Sequence, residues 1–139
     1  MKFKFLEHTA DVKFQAFGNS LEEVFVNSAM ALKKTIIGEE KIKVKESEEK
    51  RVESKGEDIE ALLYDFLEEF LYLLDAEDFL ISKIKELEIN EKNLTLKAVI
   101  SGGKASNYNF TNDVKAITFN GMFVKKARDK WVAQVVLDV

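Results

Sequence analysis

The sequence contains no cysteine and only one histidine, His8, among its 139 residues. Without cysteine the chain can form no disulfide, use no thiolate nucleophile and build no cysteine-ligated zinc or iron–sulfur site. A catalytic triad would have to run through His8, and a lone histidine is more often a structural hydrogen-bonding residue than a base. Apolar runs fall short of the ~20 residues that cross a bilayer, and the amino terminus alternates lysine with phenylalanine instead of forming a signal region. We therefore expect one domain in the cytoplasm.

The usual catalytic and phosphate-binding motifs are also missing. Residues 102–104 read GGK, which lacks both the earlier glycine of a phosphate-binding loop and the Ser or Thr after the lysine. No segment has the alternating acidic pattern of an EF-hand loop. The sequence therefore predicts a protein without catalytic residues of its own.

Charge is distributed unevenly along the chain. Residues 39–78 contain six basic and fifteen acidic side chains, whereas residues 79–139 contain ten basic and six acidic ones. The net charge of −4 argues against a protein whose overall field attracts nucleic acid, but it permits a modest basic patch in the last third. Between residues 57 and 78 there are nine acids and no base. This stretch is either a solvated helix face, the commoner case, or an acidic docking surface.

Two amphipathic helices are predicted. Ser20 and Glu23 form a capping box in front of apolar residues at helical spacing from Leu21 to Leu32, and Gly38 is a plausible end. The second helix covers residues 57–78, where eight apolar side chains follow the i, i+3, i+4, i+7 pattern: Ile59, Leu62, Leu63, Phe66, Leu67, Phe70, Leu71 and Leu74.

The remaining patterns indicate strands. Alternation predicts strands near residues 3–5, 12–16, 42–44, 51–54, 87–89 and 94–100, then at 114–119, 122–126 and 131–138, with residues 101–107 as a loop. Runs of strands with two separate helices favour an α+β single domain over residues 1–139, with both helices packed on a largely antiparallel β-sheet.

Carboxylates near the chain's end suggest a metal site. Asp138 is followed directly by Val139, so its side chain lies next to the terminal carboxylate. If Asp11, which comes just before a strand, lies nearby, three carboxylates converge and need a cation to balance them. Oxygen ligands of this kind favour Ca²⁺ or Mg²⁺. The alternatives are an Asp11 side chain bonded to its own turn and an ordinary polar strand end at Asp138.

Several segments together resemble the archease family over almost the full length. Residues 6–12 read LEHTADV, 20–25 read SLEEVF and 62–72 read LLYDFLEEFLY. Residues 113–118 read DVKAIT, and the chain ends in VLDV. The HTAD and VKAIT blocks are specific when they occur in this order and spacing.

The resemblance implies an accessory factor of the RtcB-type RNA ligase, not a ligase. Such a factor promotes guanylylation of the ligase and its repeated turnover in tRNA splicing, and it would meet tRNA only through the ligase. The resemblance also implies a divalent metal, most often calcium, held by Asp11, Asp138 and Val139. It places Lys115, and with it His8, on the activating surface.

Two positions depart from the family pattern. Tyr108 and Asn120 stand where histidines are common in the family. The imidazole contribution to the site is therefore in question, and the metal and Lys115 are its remaining chemistry. Lys115 also has a plain interpretation, in which its stem packs beside Ile117 and Phe119 while the ammonium stays in water.

Two other function classes compete with the activator. One is a chaperone-like binding module for an RNA-modifying methyltransferase, a role also proposed for this family. The other is a stand-alone metal-dependent phosphohydrolase, which would need a second metal or a general base that the sequence does not offer.

Overall fold

The computed structural model describes residues 1–7, 11–38 and 45–139. In chain order the strands and helices are β1 (Phe3–Leu6), β2 (Val12–Gly18), α1 (Leu21–Ile37), β3 (Glu48–Lys55), α2 (Ile59–Glu77), β4 (Phe79–Asn90), β5 (Thr95–Lys104), β6 (Ala116–Ala127) and β7 (Lys130–Asp138). A short 3₁₀ helix, Ala105–Asn107, follows β5. The strand predicted at residues 42–44 and the candidate residue His8 lie outside the described residues.

The α+β class is confirmed, and the described strands divide between two antiparallel sheets. Sheet A has the order β1-β2-β7-β6 and sheet B the order β3-β5-β4. Helix α1 contacts β1, β2 and β7 of sheet A and β4 of sheet B, while α2 contacts β6 of sheet A and all three strands of sheet B. The helices therefore form a layer between the sheets, and the core lies on both sides of that layer.

Helix α1 begins after the predicted cap Ser20, and α2 begins at Ile59, two residues later than predicted. A side chain satisfies a free amide at each start. The Ser20 hydroxyl accepts from the Glu23 amide at 3.1 Å, and a carboxylate oxygen of Asp58 accepts from the Ala61 amide at 2.7 Å. Gly38 ends α1 with φ of 77°, a conformation that favours glycine. The predicted apolar stripe of α2 faces the core: six of its eight residues are buried, and Ile59 and Leu74 are half-buried.

The loop predicted at residues 101–107 is wrong. Strand β5 continues to Lys104, and residues 105–107 form the 3₁₀ turn. Gly102 allows β5 to pack closely against β4, since a Cβ at this position would lie 2.8 Å from the Phe79 ring and would overlap the Leu80 carbonyl oxygen. The backbone can approach β4 this closely only without a side chain.

The two strands predicted at 114–119 and 122–126 are one strand, β6, interrupted by a wide bulge. Thr118 pairs with Val136 and Phe123 with Gln134, so residues 119–122 lie opposite a single residue of β7. Gly121 takes a positive φ of 67° within the bulge, and its carbonyl accepts from the Gln134 side-chain amide at 2.8 Å. The alternating pattern could not show a bulge, because the residues on both sides remain in strand conformation.

Candidate functional site

The ends of three neighbouring strands bring Asp11, Lys115 and Asp138 together at one edge of sheet A. Val12 of β2 pairs with Leu137 of β7, and the next step of this register puts Asp11 across from Asp138. On the other side of β7, Asp138 pairs with Ala116, the first residue of β6. The two aspartates are far apart in sequence, and strand pairing makes them neighbours.

Lys115 lies on the opposite flank of Asp138. Its backbone amide donates to the Asp138 carbonyl at 2.7 Å, just before β6 begins. Its side chain is exposed, whereas Asp11 and Asp138 are half-buried. Asp138 therefore lies between the other two predicted residues, and the Lys115 backbone is tied to the strand that carries Asp138.

The donor set at this edge suits a hard cation. Asp11, Asp138 and the carboxylate of Val139 offer oxygen atoms only, the ligands that Ca²⁺ and Mg²⁺ prefer. No group of three His, Cys, Asp or Glu side chains able to hold a metal occurs within residues 1–7, 11–38 and 45–139. A metal site here would therefore need oxygen ligands beyond the side chains of Asp11 and Asp138.

The segment that leads to Lys115 is anchored to the carboxyl end of α1. The amides of Thr111 and Asn112 donate to the Ile36 carbonyl at 2.7 and 3.4 Å, and the Asn112 side chain donates to the Thr35 carbonyl at 2.8 Å. These bonds satisfy carbonyls that have no partner within the helix. The sequence did not predict these hydrogen bonds, because the bonded residues are too far apart in the chain to form a local pattern.

A cleft of about 310 Å³ opens beside Asp11. It lies between β1, the start of β2, the end of α1 and residues 111–112, and its walls are Phe5, Leu6, Asp11, Val12, Lys13, Lys34, Thr35, Gly38, Thr111 and Asn112. The lining of the cleft combines apolar side chains with charged and amide groups, a mixture that is common in binding clefts.

The residues in place of the family histidines have structural partners. The Tyr108 hydroxyl accepts from the Lys45 amide at 2.6 Å, and the Tyr108 ring packs against the core. Asn120 lies in the exposed bulge of β6, where its amide donates to the Thr118 hydroxyl at 3.3 Å. Tyr108 therefore ties two chain segments together, and Asn120 presents an amide on the strand that follows Lys115.

No helix within the described ranges is long and apolar enough to span a membrane.

The fold agrees with comparisons to known proteins. A model of the Archease protein family matches residues 3–139. The chain belongs to the archease family. The resemblance predicted from its sequence motifs is thereby confirmed.

Individual archeases are similar over nearly their whole lengths. Protein archease of Methanosarcina acetivorans is 39% identical over 142 residues, covering 99% of this chain and 96% of that protein. The solution structure of Methanobacterium thermoautotrophicum protein 1598 is 36% identical with a TM-score of 0.81, and 99% of each chain is covered. A crystal structure from Thermotoga maritima, described as an archease and possible chaperone, has a TM-score of 0.63 at 23% identity, covering 98% of this chain and 96% of that one. That last likeness concerns the fold alone.

Proposed function

We propose that this archease is an accessory protein of the RtcB-type tRNA-splicing RNA ligase, promoting its guanylylation and repeated turnover in the cytoplasm without performing ligation itself. The observation that carries the proposal is the position of Asp138 between Asp11 and Lys115 at one edge of sheet A. The Lys115 ammonium can contact a partner's nucleotide phosphate, provided that a cation neutralises the carboxylates beside it, since charge-assisted contacts are strong.

In this proposal Asp11, Asp138 and the Val139 carboxylate hold a divalent cation, calcium first among the choices. When bound, the cation supplies positive charge at the sheet edge. Asp138 also fixes the Lys115 backbone through its carbonyl, and the anchoring of residues 111–112 to α1 limits how far that segment can move. His8 belongs to the same activating surface by resemblance, as a neighbour of Asp11 in sequence.

The sharpest test replaces Lys115 with methionine. Lys115→Met keeps most of the apolar stem and removes the charge, so the protein should stay folded and lose its effect on ligase guanylylation. The assay measures ligated RNA over many turnovers with sub-stoichiometric ligase. Lys97→Met is the matched control, since Lys97 is an exposed strand lysine on sheet B. Normal activation by Lys115→Met would refute the role of Lys115 and support the simple packing interpretation.

The proposal also requires that the isolated chain have no ligase, nuclease or nucleotidase activity, because no nucleophile–base pair or nucleotide-binding loop was found in its sequence. Multiple-turnover GTP hydrolysis by the purified chain, abolished by a point mutation in that chain, would contradict it.

A chaperone-like module for an RNA-modifying methyltransferase is the second candidate. The resemblance to the archease family also implies this role. A chaperone should raise the folded yield or solubility of the methyltransferase, and Lys115→Met should leave that effect intact. An activator of the ligase should depend on Lys115 and should not change the methyltransferase.

A further inference from the structure

Sheet A has one face toward the helices and one face away from them. Phe14 and Ala16 of β2 pair with Val135 and Ala133 of β7, and all four side chains are buried in the core. Alternate residues of the same strands point to the other side of the sheet, which we call the outer face of sheet A. Phe17 of β2 and Phe123 of β6 belong to this outer face.

The outer face combines lysines with aromatic rings. The Lys4 ammonium lies 5.7 Å from the centroid of the Phe17 ring, and the Lys125 ammonium lies 4.5 Å from that of Phe123. Lys13 is a third cation, on β2. Both rings are half-buried, and neither is part of the core between the sheets. The strand positions of this face contain no acid apart from the aspartates at the candidate site.

Hydrogen-bonding amides connect the three strands across the middle of this face. The Gln15 side chain donates to that of Gln134 at 2.9 Å, and Gln134 in turn donates to the carbonyl of Gly121 at 2.8 Å. This chain of bonds runs from β2 through β7 to the bulge of β6. It places polar amide groups between the two lysine–phenylalanine pairs.

The outer face of sheet B differs in charge. Glu53 of β3 and Glu88 of β4 both pair with Lys97 of β5 there. On the same sheet the Lys85 ammonium lies 2.6 Å from a carboxylate oxygen of Glu49. Cations on sheet B are therefore balanced by neighbouring carboxylates, whereas the outer face of sheet A has, among the described strand residues, carboxylates only at its candidate-site end.

We propose that the outer face of sheet A binds single-stranded RNA. Clustered lysines neutralise phosphates, and aromatic rings on an open sheet stack with unpaired bases. Phe17 and Phe123 lie two strands apart and are offset by two residues along the strands, which separates them by about 12 Å. The two rings therefore stack with different bases and do not enclose a single one. An acidic peptide would contact the lysines, but its binding would not require the aromatic rings or the glutamine amides. RNA uses all three.

The acidic part of the chain does not oppose this binding. Most of its acids lie on or near α2, which belongs to the helical layer and not to sheet A, and salt at 0.1 M screens charges over a length of about 10 Å. The proposal does not depend on the ligase, because it concerns RNA binding by the isolated chain, through residues other than Asp11, Asp138 and Lys115. A failure of RNA binding would leave the activator proposal untouched.

The test measures fluorescence anisotropy of a short labelled oligouridylate with the isolated, full-length chain at about 50 mM salt, where phosphate contacts are strongest. We expect Lys4→Gln with Lys125→Gln to weaken binding about tenfold or more and to reduce the salt slope by about 1.4. Both lysines are exposed, so this variant should fold normally. Arg51→Gln with Lys97→Gln, two exposed cations on the outer face of sheet B, is the matched control and should bind RNA like the parent protein.

Stacking is tested separately by Phe17→Leu and Phe123→Leu, each of which removes a ring but keeps an apolar side chain. Each should weaken binding about fivefold or more, with an unchanged salt slope. Thermal melting of every variant checks that it is folded. The proposal is overturned by the absence of binding at low salt, by an equal loss in the sheet B control, or by inorganic polyphosphate competing as well as RNA of the same charge.

Discussion

Replacing one aspartate of the candidate site should have opposite effects on stability with and without calcium. Residues directly opposite on paired strands have Cβ atoms about 5 Å apart. Two carboxylates at that distance repel each other by about 1 kcal/mol at the dielectric of bulk water, which is a lower bound for half-buried groups. In a chelator, Asp11→Asn or Asp138→Asn should therefore raise the free energy of unfolding by at least about 1 kcal/mol. For a chain of this size that is a rise of about 3 °C in Tm.

Calcium should reverse the order of stability between the native chain and the asparagine variants. A ligand at a hundred times its Kd stabilises the folded state by about 2.7 kcal/mol, which corresponds to about 8 °C in Tm. The native chain should gain this amount, and a variant that lacks one of three carboxylate ligands should gain little. At saturating calcium the asparagine variants should therefore melt below the native chain.

Calorimetric melts in a chelator and across a calcium series measure both effects. Asp129→Asn is the control, because Asp129 is an exposed aspartate in the turn between β6 and β7. Calcium should raise the Tm of this control variant as much as it raises the Tm of the native chain. The reasoning is refuted if calcium and magnesium leave the native Tm unchanged, or if the site variants gain as much as the control.

Three further predictions test the site and the packing. Adding residues after Val139 moves the terminal carboxylate, and calorimetric titration should then show weaker calcium binding; equal affinity would exclude this carboxylate as a ligand. Gly102→Ala should lower the free energy of unfolding in urea by about 3 kcal/mol, because the methyl group overlaps the Leu80 carbonyl, and an unchanged urea midpoint would contradict this packing. Burial, assisted by the nearby Asp65 carboxylate, raises the pKa of Glu69 above its usual 4.5, so the folded state loses stability as pH rises through that range. Glu69→Gln should therefore raise Tm at neutral pH but not in acid, as pH-dependent melts would show, and an equal gain at both would refute the charge argument.

Local signals predicted the helices well. The Ser20 cap, the Gly38 end and the apolar stripe of α2 are interactions between residues a few positions apart, so a linear pattern contains them. The pattern failed where distant segments meet. The extension of β5 through Gly102 depends on how closely β4 approaches, and the bulge of β6 depends on Gln134 of another strand.

At the candidate site, too, the sequence predicted some features and only the tertiary structure revealed the others. Sequence motifs named Asp11, Lys115, Asp138 and Val139, because their residue types and order resemble those of the archease family. Only the antiparallel register of β2 and β7, and the bond from Lys115 to Asp138, put them at one edge. The anchoring of residues 111–112 to α1 and the cleft beside Asp11 had no signal in the sequence.

The sequence by itself therefore determined the two helices, their ends, the absence of common catalytic motifs and the residues worth examining. Each of these depends on residue type or on spacing within a few turns of chain. The tertiary structure alone decided that the strands form two sheets, that Lys4 and Lys125 share an outer face with two aromatic rings, and that most acids of residues 39–78 lie in or near the helical layer. The sequence gives only the net charge of each segment. Strand pairing determines which face of a sheet each charged side chain occupies, and a ligand is bound by the charges on one face.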